Sequence, residues 1–244
     1  MYHGQSIGVV IPAFNEERFI PRTLGTMPGF VDRVAVVDDG SRDGTADQVR
    51  EIGDPRVVLI RHDQNRGVGG AILTGYRHLL DAGLDVLVVM AGDGQMDPAD
   101  LPALLDPVIE GTADHTKGNR LYHPDTPRVM PAWRLVGNVA LSLLTRITAG
   151  YPDVVDSQCG YTATRAEILS AVDLDRVYPR YGFPNDLLAH LHSAGARVAH
   201  VQVRPIYEGQ STGLRPLTAV PALSWVLARS WVLRLRRERN PCGS

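Results

Sequence analysis

Four short apolar runs, at 7–11, 34–37, 57–60 and 86–90, alternate with segments of helix length near 16–26, 43–52, 68–82 and 98–110. That alternation allows few folds. Strands that recur between helices must pair in parallel, and a parallel sheet needs helices over both faces to bury it. The first half of the chain therefore predicts an α/β sheet that can hold a ligand beyond its strand ends. Residues 132–149 and 183–194 read as further helices, and Arg197–Arg204 alternates enough for a strand. Proline and glycine thicken between about 111 and 131, which predicts a short strand near Asp114–Lys117 and then a mobile loop placed to act as a lid. No repeat, low-complexity stretch or linker divides the 244 residues, and 44% hydrophobic content suffices for one large core.

The turns after the strands carry the chemistry. Ile7–Ile11 runs into Pro12-Ala13-Phe14-Asn15-Glu16-Glu17, and Val34–Val37 into Asp38-Asp39-Gly40-Ser41-Arg42-Asp43-Gly44-Thr45. Val86–Val89 runs into Met90-Ala91-Gly92-Asp93-Gly94-Gln95-Met96-Asp97-Pro98. Asp93, Gln95 and Asp97 are hard oxygen donors on one turn, suited to Mg²⁺ or Mn²⁺ and, through the metal, to a diphosphate. The same turn also reads as the start of a helix at Pro98, with Asp97 as its cap, and Asp43 favours cap duty for the same reason. The stretch Asn65-Arg66-Gly67-Val68-Gly69-Gly70 raises a dinucleotide site as a rival. Such a fingerprint belongs after the first strand, with an acid about 20 residues later, and neither condition holds. These glycines instead predict a helix start with close backbone packing, with Arg66 facing a nucleotide.

In order and spacing, "VVIPAFNEE", "VVDDGSRDGT" and "AGDGQMDP" resemble the inverting glycosyltransferases of family 2 with the GT-A fold. The likeness is strongest to the polyprenyl-phosphate branch, the dolichol-phosphate mannose or glucose synthase type. It extends from about Ile7 to Ile206 through "NRGVGGAILTGY", "DSQCGYTATR" and "YGFPNDLLAHLHSAG". The resemblance implies a single GT-A domain over 1–216, with a nucleotide-sugar half to about 118 and an acceptor half from 119. Its sheet would be Rossmann-like and mixed, mostly parallel, with helices on both faces. Residues 217–244 would form a C-terminal amphipathic helix and tail.

The resemblance also implies the site. Pro12, Phe14, Glu16, Val37, Asp39, Arg66, Gly92, Asp93 and Gln95 would bind the nucleotide sugar, with Asp93 and Gln95 on a Mg²⁺ or Mn²⁺ ion. Lys117 and Arg120 would meet donor or acceptor phosphates, with Arg134, Arg204 and the late Arg215 as weaker counterparts. Asp186 stands where hydroxyl-using members keep a catalytic carboxylate, and Asp156 would orient the acceptor or a loop. One departure matters: where the branch has Asp-x-Asp-x-Gln, this chain has Ala91, leaving more of a metal's coordination to Asp93, Gln95, the diphosphate and water.

The expected activity is transfer of a sugar, with inversion, from a UDP- or GDP-sugar to a polyprenyl phosphate. A soluble hydroxyl acceptor in a cell-envelope or natural-product pathway is the runner-up, and a non-catalytic nucleotide-sugar binder the third reading. A net charge of −2 argues against nucleic acid as a partner. Two cysteines, Cys159 and Cys242, form neither a disulfide framework nor a zinc spacing, and no signal-peptide pattern is present, which suits the cytoplasm. Leu217–Leu235 is too interrupted by Pro221, Arg229 and Arg234 to span a membrane. As a helix it would align Leu223, Val226, Leu227, Trp231 and Leu235, for peripheral docking at the cytoplasmic face of a membrane, for packing on the domain, or for a homo-oligomer.

Overall fold

Strand β1 (Ile7–Ala13) is buried along its whole length, as a central parallel strand must be. After α1 (Ile20–Gly25) the chain forms β2 (Arg33–Asp38), α2 (Thr45–Ile52), β3 (Val57–Arg61), α3 (Val68–Asp81) and β4 (Val86–Val89). It continues through α4 (Leu101–Ile109), β5 (His115–Asn119), α5 (Thr126–Val129), α6 (Ala132–Ala149), β6 (Thr162–Arg165), α7 (Ala166–Ser170), α8 (Phe183–Ala194), β7 (Val198–Gln202) and α9 (Pro216–Arg239). This computed structural model describes residues 1–207 and 216–239, without the side chains of 216–222 and 236–239. Arg215 lies outside the described residues.

The seven strands form one sheet in the order β3-β2-β1-β4-β6-β5-β7. Only β6 runs against the others: it pairs antiparallel with β4 and with β5, while the remaining pairs are parallel. The alternation of β1 sends Ile7, Val9 and Ile11 to one face, where α1, α2 and α4 cover them with Leu24, Val49 and Leu104. Val10 faces the other way, into Ile72, Tyr76, Phe183 and Leu187 of α3 and α8. Each such Val, Leu or Ile contributes about 1.5–3 kcal/mol on burial, so the two apolar layers hold the sheet between its helices.

The expected helices at 132–149 and 183–194 occur at those positions, and the expected loop contains the short helix α5. The antiparallel β6 is the element that periodicity does not reveal. Helix α9 packs on α8 and α6, yet the face expected to be shared by five apolar residues splits. Leu223, Val226 and Leu227 are buried, whereas Trp231 and Leu235 are exposed. Among the described residues no helix is long and apolar enough to cross a membrane.

Candidate active site

From β1 the chain steps to β2 and β3 on one side, then returns to β4 on the other, so β1 and β4 flank a topological switch point. A crevice opens there, beyond the carboxyl ends of the strands. The three turns singled out in the sequence meet at this edge.

The first two turns are tied to each other. The Asn15 N–H donates to Ser41 Oγ (2.9 Å) and the Glu16 N–H to Thr45 Oγ1 (2.8 Å), while the Arg42 N–H returns a bond to Asn15 Oδ1 (2.9 Å). Asn15 takes a left-handed φ of 57° to make these contacts, a conformation asparagine tolerates better than most residues. Asp43 accepts from the Thr45 and Glu17 N–H groups, so it ties the start of α2 to the first turn from the position before the cap, which Gly44 occupies in place of the expected Asp43. Phe14 is left exposed at the rim with Glu16 half-buried beside it, and Pro12 lies in register with Val37. Val37 is fully buried in the sheet, between Pro12 and Ile60 of the neighbouring strands, so it backs the turn and presents no surface to a nucleotide.

Asp39 is buried, with both oxygens engaged inside the chain. Oδ1 accepts from the Arg66 N–H (2.8 Å) and lies 2.7 Å from His62 Nδ1, and Oδ2 accepts from the Gly67 N–H (2.8 Å). Its carboxylate thus holds the glycine turn to the end of β2, and a base contact would share an oxygen already in use. Arg66 is exposed and lines an open cleft with Arg77, Asp175 and Arg180.

On the other side of the switch point, Gly92 packs against Ile11, Ala13 and Ile20, where an added Cβ would come within 3.2–3.4 Å of their side chains. Gly94 follows at φ +73°, turning the chain so that the Gln95 N–H donates to Asp93 Oδ1 (3.0 Å). Burial pushes the Asp93 carboxyl above its usual range, against the Gln95 N–H and the positive charges of Arg120 and Arg134, which pull it down. Asp97 caps the helical turn at Pro98 through the Ala99 N–H (2.9 Å), and Arg204 reaches it at 3.4 Å. Arg204 thus stays on the acidic turn, which Tyr161 also ties down by donating its hydroxyl hydrogen to the Asp97 carbonyl (2.9 Å).

Because β6 runs antiparallel to β5 with Lys117 opposite Thr162, the residues before β6 return to the same edge as the end of β5. Asp156 is thereby placed against Arg120, with Nε to Oδ2 at 2.8 Å and Nη2 to Oδ1 at 3.1 Å, a two-pronged pair in a buried setting. Burial alone would raise the Asp156 carboxyl; Arg120 and Lys117 outweigh it and hold it below the usual range. Lys117 is buried below this pair and donates to the Cys159 carbonyl, and burial lowers its ammonium below the ordinary value. These two cations are therefore set in the floor of the site and are not free in solvent. Gln95 and Arg120 line a common small cavity with Cys159 and Tyr161. Arg134, at the first turn of α6, lies over the Tyr207 ring at 5.4 Å.

Asp186 sits elsewhere in this arrangement, fully buried beneath α9. Its Oδ2 accepts from the Tyr178 N–H (2.8 Å) and lies 3.7 Å from Arg229 Nη1 and 3.6 Å from His190 Nε2. The Arg120–Asp156 pairing is the part of the site that sequence reading missed, since it depends on an antiparallel strand whose run Thr162–Arg165 carries no clear apolar pattern.

Acidic turns at a topological switch point, with buried cations across the crevice, define an α/β protein whose site lies at its strand ends. The glycosyl transferase family 2 model matches residues 8–173, and the chain belongs to that family and is a glycosyltransferase. Among its relatives, the undecaprenyl-phosphate mannosyltransferase of Micrococcus luteus is 36% identical over 91% of this chain and 94% of its own. The UDP-N-acetylglucosamine–dolichyl-phosphate N-acetylglucosaminyltransferase of Methanococcus voltae is 30% identical over 82% and 86%. Among solved structures, glucosyl-3-phosphoglycerate synthase of Mycobacterium tuberculosis, in complex with Mn²⁺, UDP and phosphoglyceric acid, superposes with a TM-score of 0.69. It covers 95% of this chain and 78% of its own at 23% identity, which shows the shared GT-A fold.

Proposed function

We propose that the chain transfers a sugar from a UDP- or GDP-sugar, with inversion, to a polyprenyl phosphate. The observation that carries this reading is Asp93, a half-buried carboxylate at the β1–β4 switch point within the field of Arg120 and Arg134. Carboxylate and guanidinium on one crevice suit a metal-bound diphosphate leaving group. Phe14 offers a flat apolar surface to the base, with Pro12, Glu16, Asp39, Arg66 and Gly92 around the remainder of the nucleotide and Val37 behind them.

The donor set fits a hard divalent ion held jointly with substrate. Among the described residues no three His, Cys, Asp or Glu side chains are grouped to hold a metal by themselves. Asp93 and Gln95 supply two oxygens, and Mg²⁺ or Mn²⁺ commonly completes its shell with phosphate and water. When bound, such an ion would neutralise charge on the departing diphosphate. Arg120, fixed by Asp156, does the same from the protein side, as does Arg134.

As the bond between the anomeric carbon and the diphosphate oxygen breaks, its electron pair leaves with the nucleoside diphosphate, and the acceptor oxygen bonds the opposite face of that carbon. A phosphate monoester, with a second pKa near ~6, is already ionised and needs no base. The engagement of Asp186 beneath α9 supports this acceptor over a hydroxyl, which would need a carboxylate at hand. The names of the Micrococcus luteus and Methanococcus voltae relatives support it as well. In this reading residues 1–118 hold the donor and 119–216 the acceptor, with 217–244 as the C-terminal helix and tail. The protein would work peripherally at the cytoplasmic face of a membrane.

The test is transfer by purified protein with Mg²⁺ or Mn²⁺ from a panel of UDP- and GDP-sugars to a short-chain polyprenyl phosphate. One donor is expected to yield lipid-linked product, and Asp93→Ala to lose about 10²–10³-fold or more in rate. Full activity in that variant removes Asp93 from the metal; donor binding with no lipid product moves the acceptor to a hydroxyl.

A further inference from the structure

Helix α6 is bounded by Pro131 and by Gly150 at φ +82°, yet much of what it carries between them is left uncovered. Trp133 is 64% exposed, Val136 69%, Leu143 50% and Ile147 62%. Their spacing of three or four residues, or a multiple of it, places them on one face of the helix, with Val139 and Leu144 along its flank. The opposite side holds Ser142, Thr145 and Ala149, which are buried against the domain. A soluble surface helix shows the reverse pattern, with its apolar stripe inward and its polar face outward. Six of the exposed large apolar residues found among the described residues lie on this one helix, and four more lie on α9 beside it.

We propose that the exposed ridge of α6 docks the protein on an anionic membrane, lying in the plane of the surface at the boundary of headgroups and acyl chains. Charge selects this occupant. Helices α6 and α9 together contain seven arginines and a single acid, Glu238, in a chain whose net charge is −2, and five of the seven remain when Arg134 at the crevice and Arg229 at Asp186 are set aside. Excess positive charge beside an apolar ridge matches lipid phosphates above an acyl layer. Size argues against a second copy of the chain. From Trp133 to Ile147 the ridge is about 21 Å long and roughly 10 Å wide, or about 200 Å², well below the ~800 Å² that each partner buries in a stable interface. A bilayer needs no complementary shape and accepts so narrow a surface.

The position of the ridge gives it a use. Its first residue, Trp133, precedes Arg134, whose charge acts on Asp93. A helix lying along the surface from that point sets the crevice at the height of lipid headgroups, where the phosphate of a polyprenyl phosphate resides. The docking surface rests on the acceptor reading for this use, but it can be tested without catalysis.

The measurement is co-sedimentation of the full chain with vesicles of phosphatidylcholine alone or mixed with phosphatidylglycerol. It is joined to quenching of Trp133 by brominated lipids in a Trp225→Phe, Trp231→Phe background. Binding is expected to be at least about tenfold tighter with the anionic lipid and to fall about tenfold or more in Val136→Glu/Leu143→Glu, with Trp133 quenched at shallow depth. Both replaced side chains are exposed, so the double variant is expected to fold, and its melting transition checks this. Undiminished vesicle binding by the folded double variant overturns the proposal. So does failure of the parent chain to bind either vesicle, or a dimer in sedimentation equilibrium that the double variant abolishes with no vesicle binding. Transfer to a water-dispersible short-chain polyprenyl phosphate separates the two readings. Loss of vesicle binding in the variant with transfer retained supports both, whereas vesicle binding by a parent chain that transfers to no polyprenyl phosphate keeps the docking surface and removes the acceptor.

Discussion

Glu16 lies in the field of two other acids, Asp93 and, on the adjoining turn, Asp43, and it is partly withdrawn from water. Burial first, then the charges of Asp93 and Asp43, push its carboxyl up from 4.5 to about 7. The sign of the consequence follows from proton counting: between those two values the native state binds more protons than the unfolded chain, so this group's contribution to stability falls as pH rises through that window. Glu16→Gln removes the penalty. Its melting temperature relative to the parent chain is expected to rise by about 1–3 °C between pH 5 and pH 8, and by less with Mn²⁺ present if a cation at Asp93 offsets the same repulsion. Equal differences at both pH values, read by thermal melts, would sink the assignment. The buried Arg120–Asp156 pair shows the converse case. Each charge is tolerable there because the other is present, and removal of one partner from such a pair costs about 3–5 kcal/mol. Glu16, Arg120 and Asp156 were all legible in the sequence as site residues, but the pairing of the last two was not, because 36 positions separate them.

At the scale of elements, the glycine turn 65–70 is a joint between the end of β2 and the start of α8. Gly67 adopts φ +91°, and a Cβ there would come within 2.9 Å of the Pro179 carbonyl and of the Arg180 side chain. The Gly70 N–H donates to that same Pro179 carbonyl (2.8 Å), while a Cβ on Gly69 would meet Phe183 at 2.7 Å. Backbone strain and collision thus act together, and Gly67→Ala is expected to destabilise the fold by about 2 kcal/mol or more in urea unfolding. An unchanged midpoint would show that the turn relaxes freely. The sequence reading of these glycines as sites of close packing agrees with this geometry, since glycines where chains touch leave the same trace in any fold. Strand β5 was legible for a different reason, as the short strand expected near Asp114–Lys117. Its residues His115, Thr116, Lys117, Gly118 and Asn119 are polar or small yet all are buried, because β6 and β7 pair with both edges and satisfy the backbone.

Across the whole molecule, α9 closes over α8 by inserting Val226 beside Gly182 and by holding Arg229 near Asp186. Asp186 is thus engaged in fixing the C-terminal helix, and Asp186→Asn is expected to keep transfer to a short-chain polyprenyl phosphate within about tenfold of the parent rate. A loss of about 10³-fold in kcat/KM, with folding intact by circular dichroism, would make it a base and favour a hydroxyl acceptor. What the sequence by itself determined is the half of the protein governed by local periodicity. Apolar runs separated by helix-length segments demand a covered parallel sheet, and polar turns after those runs demand a site at the strand ends. These requirements act within about 15 residues, so they survive in one dimension. Only the tertiary structure decided which residues meet across the crevice. The reversal of β6 brought Asp156 to Arg120, the packing of α9 took Asp186 into the interior, and the domain left one side of α6 uncovered. Each of these depends on pairing between distant segments, where the energy comes from burial and charge contacts that no local pattern encodes.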